Sequence, residues 1–251
     1  MPSNAIIEVA NLNLNGRLAI ERLSLLNGQF VHVLGANGAG KSTLIAALAG
    51  LQADALPLVE FKQRTLSDWS IASLAQHRSL LTQQVLSQFE VSVTDTLSYF
   101  SGDRDVPEKL ELALDISELL ERQLNLLSGG EQQRVHIARC LMQVWPAIET
   151  GAALILMDEP CQGLDVRHQL SLMQLLTDLA QHGNTVLVTS HDVNLAARYA
   201  SHCLLLKQGY PLAFGDSQSV ITLENLKVCY ECDFHLIYSE NAYDFFFPRV
   251  N

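Results

Sequence analysis

Five apolar segments, each bounded by polar or turn-forming residues, recur along the chain. They read IIEVANLNL, QFVHVLG, ALILMDEP, NTVLVTSHD and HCLLLKQG. Several are nearly unbroken apolar runs, which is typical of parallel strands covered by helices on both faces. Helical patterns separate them, namely KSTLIAALAGL, RHQLSLMQLLTDLAQH and DVNLAARYA. This alternation predicts an α/β fold with a mostly parallel sheet.

The middle of the chain differs from this alternation. From about Val85 the strand pattern fades, and VPEKLELALDISELLERQ followed by GGEQQRVHIARCLMQVW predicts helices joined by short polar turns. We interpret residues 1–251 as a single domain into which a helical subdomain of approximately residues 85–143 is inserted.

Composition and charge narrow the class of protein. The 251-residue chain is 48% hydrophobic and 17% charged, as in globular proteins, and its formal net charge of −11 argues against nucleic acid as a partner. The N-terminus has no secretory signal, and no apolar run reaches the roughly 20 residues that span a bilayer. We therefore expect a cytoplasmic protein, and any action at a membrane would need another chain to do the spanning.

Two smaller features each leave alternatives open. Cys229 and Cys232 form a lone CxxC, which we interpret as two small residues on a strand or turn, with a zinc or redox site as the alternative. The run Phe245 to Phe247 is interpreted as an edge strand with one packed face, or otherwise as a contact with a partner.

The segment GANGAGKST matches the phosphate-binding loop pattern between a strand and a helix. Its glycines let backbone N–H groups face a triphosphate, while Lys41 reaches the β and γ phosphates and the Ser42 hydroxyl ligates Mg²⁺. The predicted nucleotide-binding residues here are Gly35, Ala36, Asn37, Gly38, Ala39, Gly40, Lys41, Ser42 and Thr43.

Two acids and a histidine follow later strands. Asp158 and Glu159 end the strand LILM, so we expect Asp158 to hold Mg²⁺ and Glu159 to act as general base on the attacking water. His191 follows TVLVTS and is expected to hydrogen-bond the γ phosphate. These elements predict a nucleotide hydrolase that acts on a triphosphate with Mg²⁺.

The segment LSGGEQQR, Leu127 to Arg134, resembles the LSGGQ signature of the ATP-binding cassette (ABC) family, with Glu131 at its last position. Other family marks follow in order. Gln83 resembles the Q-loop glutamine, with Gln84 as a second register, Asp165 in QGLD resembles the D-loop aspartate, and His191 resembles the H-loop switch. The resemblance implies a P-loop core with an antiparallel β part on the N-terminal side and an inserted helical subdomain.

The same resemblance implies a head-to-tail dimer in which Ser128, Gly129 and Gly130 contact the ATP held by the partner copy. It also implies that Asp165 belongs to that site and that Gln83 ligates the metal and reports on the γ phosphate. Further implied partners are two transmembrane permease chains, at the cytoplasmic face of a bacterial inner membrane, and indirectly a periplasmic substrate-binding protein.

The long link CLMQVWPAIETGAALILMDEP is similar to the ABC subunit of vitamin B12 (cobalamin) importers. LAQHRSLLTQQ and the tail GDSQSVITLENLKVCYECDFHLI resemble that subunit and its siderophore- and haem-importing relatives. Cobalamin import is our first prediction. Siderophore or haem import, and a soluble cassette ATPase of the iron–sulfur assembly type, are the alternatives.

Overall fold

The computed structural model describes residues 5–14, 16–82, 90–102, 105–237 and 245–249, with the side chain of residue 100 left out. Gln83 and Gln84 lie outside the described residues. The strands are β1 (Ala5–Leu14), β2 (Leu18–Leu26), β3 (Phe30–Leu34), β4 (Val59–Phe61), β5 (Arg64–Thr65), β6 (Arg78–Leu81), β7 (Leu154–Met157), β8 (Thr185–Ser190), β9 (His202–Lys207), β10 (Tyr210–Asp216), β11 (Phe234–Ile237) and β12 (Phe245–Pro248).

The helices follow the chain in the same way. They are α1 (Lys41–Leu48), α2 (Ile71–Ala75), α3 (Val93–Ser101), α4 (Glu108–Leu114), α5 (Gly129–Gln143), α6 (Trp145–Glu149), α7 (Val166–Gln181), α8 (Val193–Tyr199), α9 (Ser217–Val220) and α10 (Leu223–Tyr230). Within the described ranges, no helix combines the length and apolar character needed to cross a bilayer.

A six-stranded sheet in the order β10-β9-β3-β8-β7-β6 forms the centre of the molecule. Its strands are parallel apart from β10, which pairs antiparallel with β9. A second, antiparallel sheet in the order β2-β1-β4-β5 comes from the N-terminal part of the chain. The predicted α/β fold, with its mostly parallel sheet and N-terminal antiparallel part, is confirmed.

Both faces of the central sheet are covered, which explains the unbroken apolar runs. Along β7, Ile155 and Met157 pack with residues of α5 and α7, while Leu154 and Leu156 pack with α1 and the antiparallel sheet. All four side chains of β7 are fully buried. Two apolar layers therefore hold the strand ends in place at one edge of the sheet.

The helices in the middle of the chain are shorter than the helical sequence pattern predicts. In VPEKLELALDISELLERQ, α4 ends at Leu114 because Asp115 adopts a left-handed conformation with φ of 51°. The signature helix α5, in contrast, runs without a break from Gly129 to Gln143. The division into a core and an inserted subdomain at residues 85–143 stays a prediction.

The C-terminal segment packs with one face. Phe246 of β12 is buried, whereas Phe245 and Phe247 are nearly half exposed, so the expectation of a strand with one packed face holds. The strand-or-turn interpretation of the CxxC cysteines is wrong for Cys229, which lies on the last turn of α10 and is buried.

Candidate nucleotide-binding site

The predicted phosphate-binding loop connects β3 to α1 and depends on close backbone approaches. A Cβ atom at Gly35 would lie 2.4 Å from the carbonyl oxygen of Leu206 on β9, and one at Gly40 would lie 2.9 Å from that of Arg17. Gly40 also has a φ of 102°, which L side chains rarely adopt. The glycine pattern therefore follows from the fit of the loop between β9 and the β1–β2 turn.

Lys41 is the first residue of α1 and is only 6% exposed. Its ammonium group donates hydrogen bonds to the carbonyl oxygens of Gly35, at 2.7 Å, and Ala36, at 3.2 Å. Burial lowers the pKa of Lys41, and the charges of Glu159 and Asp158 oppose that shift. The two carbonyl bonds hold the amine inside the loop, where a triphosphate would meet it.

A cavity of about 630 Å³ opens in front of this loop. Its lining includes Asn37 to Thr43 of the loop and α1, Glu159 behind β7, Arg17 of the β1–β2 turn, and Gln208 of the β9–β10 turn. No aromatic ring contributes to this lining within the described part of the chain. Arg17 and Gln208 are the long polar side chains that line the cavity beside the loop.

Asp158 and Glu159 are positioned by a threonine that sequence reasoning missed. The Thr189 hydroxyl on β8 donates to the carboxylate of Asp158, at 2.5 Å, and accepts from the backbone N–H of Glu159, at 2.9 Å. Thr189 is fully buried and Asp158 is 6% exposed. The available signal was a threonine within the apolar strand TVLVTS, because a buried hydroxyl needs hydrogen-bond partners.

Glu159 and His191 are in direct contact. A carboxylate oxygen of Glu159 lies 2.6 Å from Nε2 of His191, and the backbone of Glu159 is left-handed, with φ of 50°. The Glu159 side chain is 17% exposed and that of His191 is 44% exposed, so both reach solvent, and Glu159 lines the loop cavity. The structure thus brings together the loop, both acids and the predicted switch histidine.

Mg²⁺ fits the residues at this position. Ser42 lines the cavity, and the buried Asp158 carboxylate keeps an oxygen beyond its bond to Thr189. Among the described residues no group of three or more His, Cys, Asp or Glu side chains forms a metal site. Mg²⁺ commonly takes only one or two protein ligands and completes its shell with phosphates and water, so this donor set suits it.

The signature residues lie outside that cavity. Ser128 caps α5 by accepting from the N–H of Glu131, and neither Ser128, Gly129 nor Gly130 belongs to the described lining of the loop cavity. Asp165 caps α7 in the same way, accepting from the N–H of His168 at 2.9 Å. These predicted site residues are therefore on helix starts of their own and not around the loop of their own chain.

The signature helix is nevertheless joined to the acidic strand end. The side-chain amide of Gln133 donates to the carbonyl oxygen of Pro160 at 3.0 Å. A Cβ atom at Gly130 would lie 2.8 Å from the carbonyl oxygen of Gly163. The segment between Glu159 and Asp165 thus packs against the start of α5.

A phosphate-binding loop at the carboxyl edge of a parallel sheet, facing a magnesium-compatible aspartate and a glutamate bonded to histidine, defines a P-loop nucleotide hydrolase. The ABC transporter family model matches residues 20–162. The chain belongs to the ABC transporter family. It is an ATPase coupled to transport, and its nucleotide is ATP with Mg²⁺.

Several curated relatives cover most of the chain. It is 41% identical to the Hemin import ATP-binding protein HmuV of Pseudomonas aeruginosa, over 90% of this chain and 92% of that one. It is 33% identical to HmuV of Rhodopseudomonas palustris, over 97% and 93%. It is 39% identical to the Vitamin B12 import ATP-binding protein BtuD of Citrobacter koseri, over 82% and 84%.

Solved structures agree with this assignment. A chain of an ABC transporter described as of the metal-chelate type, in an inward-facing conformation, superposes with a TM-score of 0.80 at 27% identity, covering 99% of this chain and 98% of that one. The ATP-binding cassette MJ0796, in a dimeric post-hydrolysis state bound to ADP and Pi, gives a TM-score of 0.66 at 25% identity, covering 84% and 98%.

Proposed function

We propose that this chain is the ATP-hydrolysing subunit of a bacterial importer, acting at the cytoplasmic face of the inner membrane. The observation that carries the proposal is the hydrogen-bonded cluster of Asp158, Thr189, Glu159 and His191, of which Glu159 lines the loop cavity. Relatives that match most of the chain are import ATP-binding proteins for haem or vitamin B12, which supports the transport role.

Within this proposal the loop residues Gly35 to Thr43 hold the phosphates of ATP. Lys41 transfers its hydrogen bonds from the two loop carbonyls to the β and γ phosphates, and Ser42 and Asp158 hold Mg²⁺, joined by Gln83. The metal ion, when bound, neutralises charge that develops on the phosphates.

Glu159 is the proposed general base. Its carboxylate takes a proton from a water molecule whose oxygen attacks the γ phosphorus, and the bond to the bridging β–γ oxygen breaks to give ADP and phosphate. His191, bonded to Glu159 at 2.6 Å, orients that carboxylate and faces the γ phosphate.

The signature supports a dimer because its residues do not belong to the described lining of the loop cavity of their own chain. We infer that Ser128, Gly129 and Gly130, with Asp165, complete the ATP site of a second copy in a head-to-tail arrangement. ATP then joins two chains, and hydrolysis separates them by removing the shared γ phosphate. The dimeric cassette found among the structural relatives supports this arrangement.

The remaining partners are two permease chains, which dock on the predicted helical subdomain of residues 85–143 and sense the nucleotide through Gln83. A periplasmic binding protein delivers the substrate to them. For the substrate we propose a cobalt or iron macrocycle. Cobalamin is the prediction from the sequence, and haem is the second candidate because HmuV relatives reach 41% identity.

Capture of membrane partners tests the proposal. The Glu159→Gln variant should bind ATP without turnover and co-purify with a many-span membrane protein from its native host in the presence of ATP and Mg²⁺. Lys41→Ala serves as the matched control, because it should lose nucleotide binding and this ATP-dependent capture. Capture of a soluble scaffold protein instead would contradict the importer and favour the iron–sulfur assembly type.

The substrate is tested in the reconstituted complex. The ATPase rate should rise when the binding protein carries cobalamin, and haem-loaded binding protein is the comparison. Stimulation by haem alone would assign the second candidate, and stimulation by neither would reject the macrocycle proposal.

A further inference from the structure

Glu131 replaces the glutamine of the signature pattern, and its carboxylate makes two directed contacts. One oxygen accepts from the backbone N–H of Ser128 at 2.7 Å, and the other lies 2.8 Å from the guanidinium of Arg122. Because the N–H of Glu131 also donates to the Ser128 hydroxyl at 3.4 Å, Ser128 and Glu131 form a reciprocal capping box.

The carboxylate of Glu131 stays charged at any physiological pH. Its hydrogen bonds with Ser128 and the nearby Arg122 guanidinium lower its pKa to about 2. A full negative charge therefore lies in the first turn of α5, bonded to the residue that the proposed function places against the γ phosphate of a partner's ATP. Such a charge opposes an incoming phosphate and offsets part of the positive end of the helix.

Arg122 is placed to cancel that charge. Its backbone is fixed independently of its side chain, because its N–H donates to Leu119 and its carbonyl accepts from Val93. Its side chain is 47% exposed, while that of Glu131 is 23% exposed. An exposed ion pair of this kind adds little to folding stability, so its presence here is better explained by its effect on a charged ligand.

We propose that Arg122 is a positioning residue for the composite ATP site, holding Glu131 in the capping box and neutralising it so that Ser128 can approach the γ phosphate. This proposal rests on the head-to-tail dimer inferred above. Glutamate holds the Ser128 N–H more strongly than a neutral amide because the hydrogen bond is charge-assisted, and the arginine removes the repulsion that comes with it.

ATP-driven dimerisation of the full chain tests this role. In the Glu159→Gln background, with ATP and Mg²⁺, the dimer dissociation constant is measured by analytical ultracentrifugation at low and high salt. Adding Arg122→Ala should weaken the dimer about tenfold for each ATP site, hence roughly a hundredfold for the two sites of a symmetric dimer. The loss should shrink at high salt because ions screen the exposed carboxylate.

A second substitution separates charge from structure. Glu131→Gln keeps the capping geometry without the charge, so the Arg122→Ala/Glu131→Gln combination should recover dimerisation to within a few-fold of the Glu159→Gln parent. Lys227→Ala is the matched control, since it breaks the 2.7 Å ion pair with Asp233 and makes the same change in net charge elsewhere on the molecule. It should leave dimerisation unchanged.

Different failures have different meanings. If Glu159→Gln alone does not dimerise with ATP, the proposed dimer is wrong. If it dimerises but adding Arg122→Ala has no effect on the dimer, the neutralising role is wrong. The role is also wrong if Glu131→Gln does not rescue the Arg122→Ala variant although the variants keep the parent melting temperature.

Discussion

The hydroxyl of Thr189 makes two hydrogen bonds in opposite senses. It donates to Asp158 and accepts from the backbone of Glu159, so one buried group sets the direction of the proposed magnesium ligand and the backbone of the proposed base. Because Thr189 is fully buried, no water replaces it when it is lost.

Thr189→Val keeps the shape of this side chain and removes both hydrogen bonds. We expect kcat for ATP hydrolysis to fall about ten- to a hundredfold and the Mg²⁺ requirement to rise, with a loss of about 1–3 kcal/mol in the free energy of unfolding. Steady-state ATPase assays across a magnesium titration, together with thermal unfolding, measure these effects. Thr189→Ser restores the hydroxyl and should return most of the rate, whereas a valine variant with the parent rate would show that the bridge has no catalytic value.

At the scale of single residues, the sequence identified groups whose chemistry is local to a motif. Lys41, Asp158, Glu159 and His191 follow strands in recognisable segments. In the structure Lys41 and Glu159 line one cavity, His191 contacts Glu159, and Asp158 is the buried neighbour of Glu159. Thr189 and the Arg122 partner of Glu131 were missed because their roles arise from pairing between segments that are not adjacent in sequence. Periodicity does not carry that information.

At the scale of elements, the two signature glycines differ although they are neighbours. A Cβ atom at Gly130 would come within 2.8 Å of the Gly163 backbone, whereas one at Gly129 would meet nothing within 4 Å. The start of α5 therefore depends on Gly130 for its close approach to the segment that carries Asp165.

Gly130→Ala forces α5 and the Gly163 segment apart. We expect the melting temperature of the isolated chain to fall, with a destabilisation of about 1–3 kcal/mol, as for overpacking of a tight contact. Gly129→Ala is the control and should leave the melting temperature unchanged or raise it slightly, because alanine favours helix over glycine. Equal melting temperatures for the two variants, measured by calorimetry without nucleotide, would contradict this account.

Long apolar segments predicted the central strands well, since four of the five runs contain β3, β7, β8 and β9, while the first run lies within β1 of the antiparallel sheet. Short elements escaped, including β4, β5 and β6, because two to four residues carry too little periodicity. The shortened α4 has another cause. Asp115 takes a left-handed conformation at a position where the apolar spacing alone continues the helix.

At the scale of the whole molecule, the signature residues and the loop cavity of one chain are separate, so two inactive variants should complement each other. The chain with Ser128→Arg has an altered signature but an intact phosphate-binding loop and an intact Glu159. The chain with Glu159→Gln lacks the proposed base but has an intact signature. In a mixed dimer, one ATP site is assembled entirely from intact parts.

Mixing the two variants in equal amounts should therefore restore ATP hydrolysis. With random pairing, half of the dimers are mixed and each has one intact site of two, so recovery can reach about a quarter of the parent rate. Each variant assayed alone at the same total concentration is the control. A mixture no more active than its components would argue against a site shared between chains.

The order of strands around the site has a consequence for how the chain is made. Along the sequence the phosphate-binding loop comes first, then the acids and last His191, but in the sheet β8 lies between β3 and β7. A growing chain that has emerged from the ribosome as far as Met157 still lacks β8, the strand that pairs with both β3 and β7. The nascent protein therefore cannot form a competent ATPase site until residues 185–190 have inserted between β3 and β7, which are made earlier. The first ATP hydrolysis therefore comes only when synthesis is nearly complete.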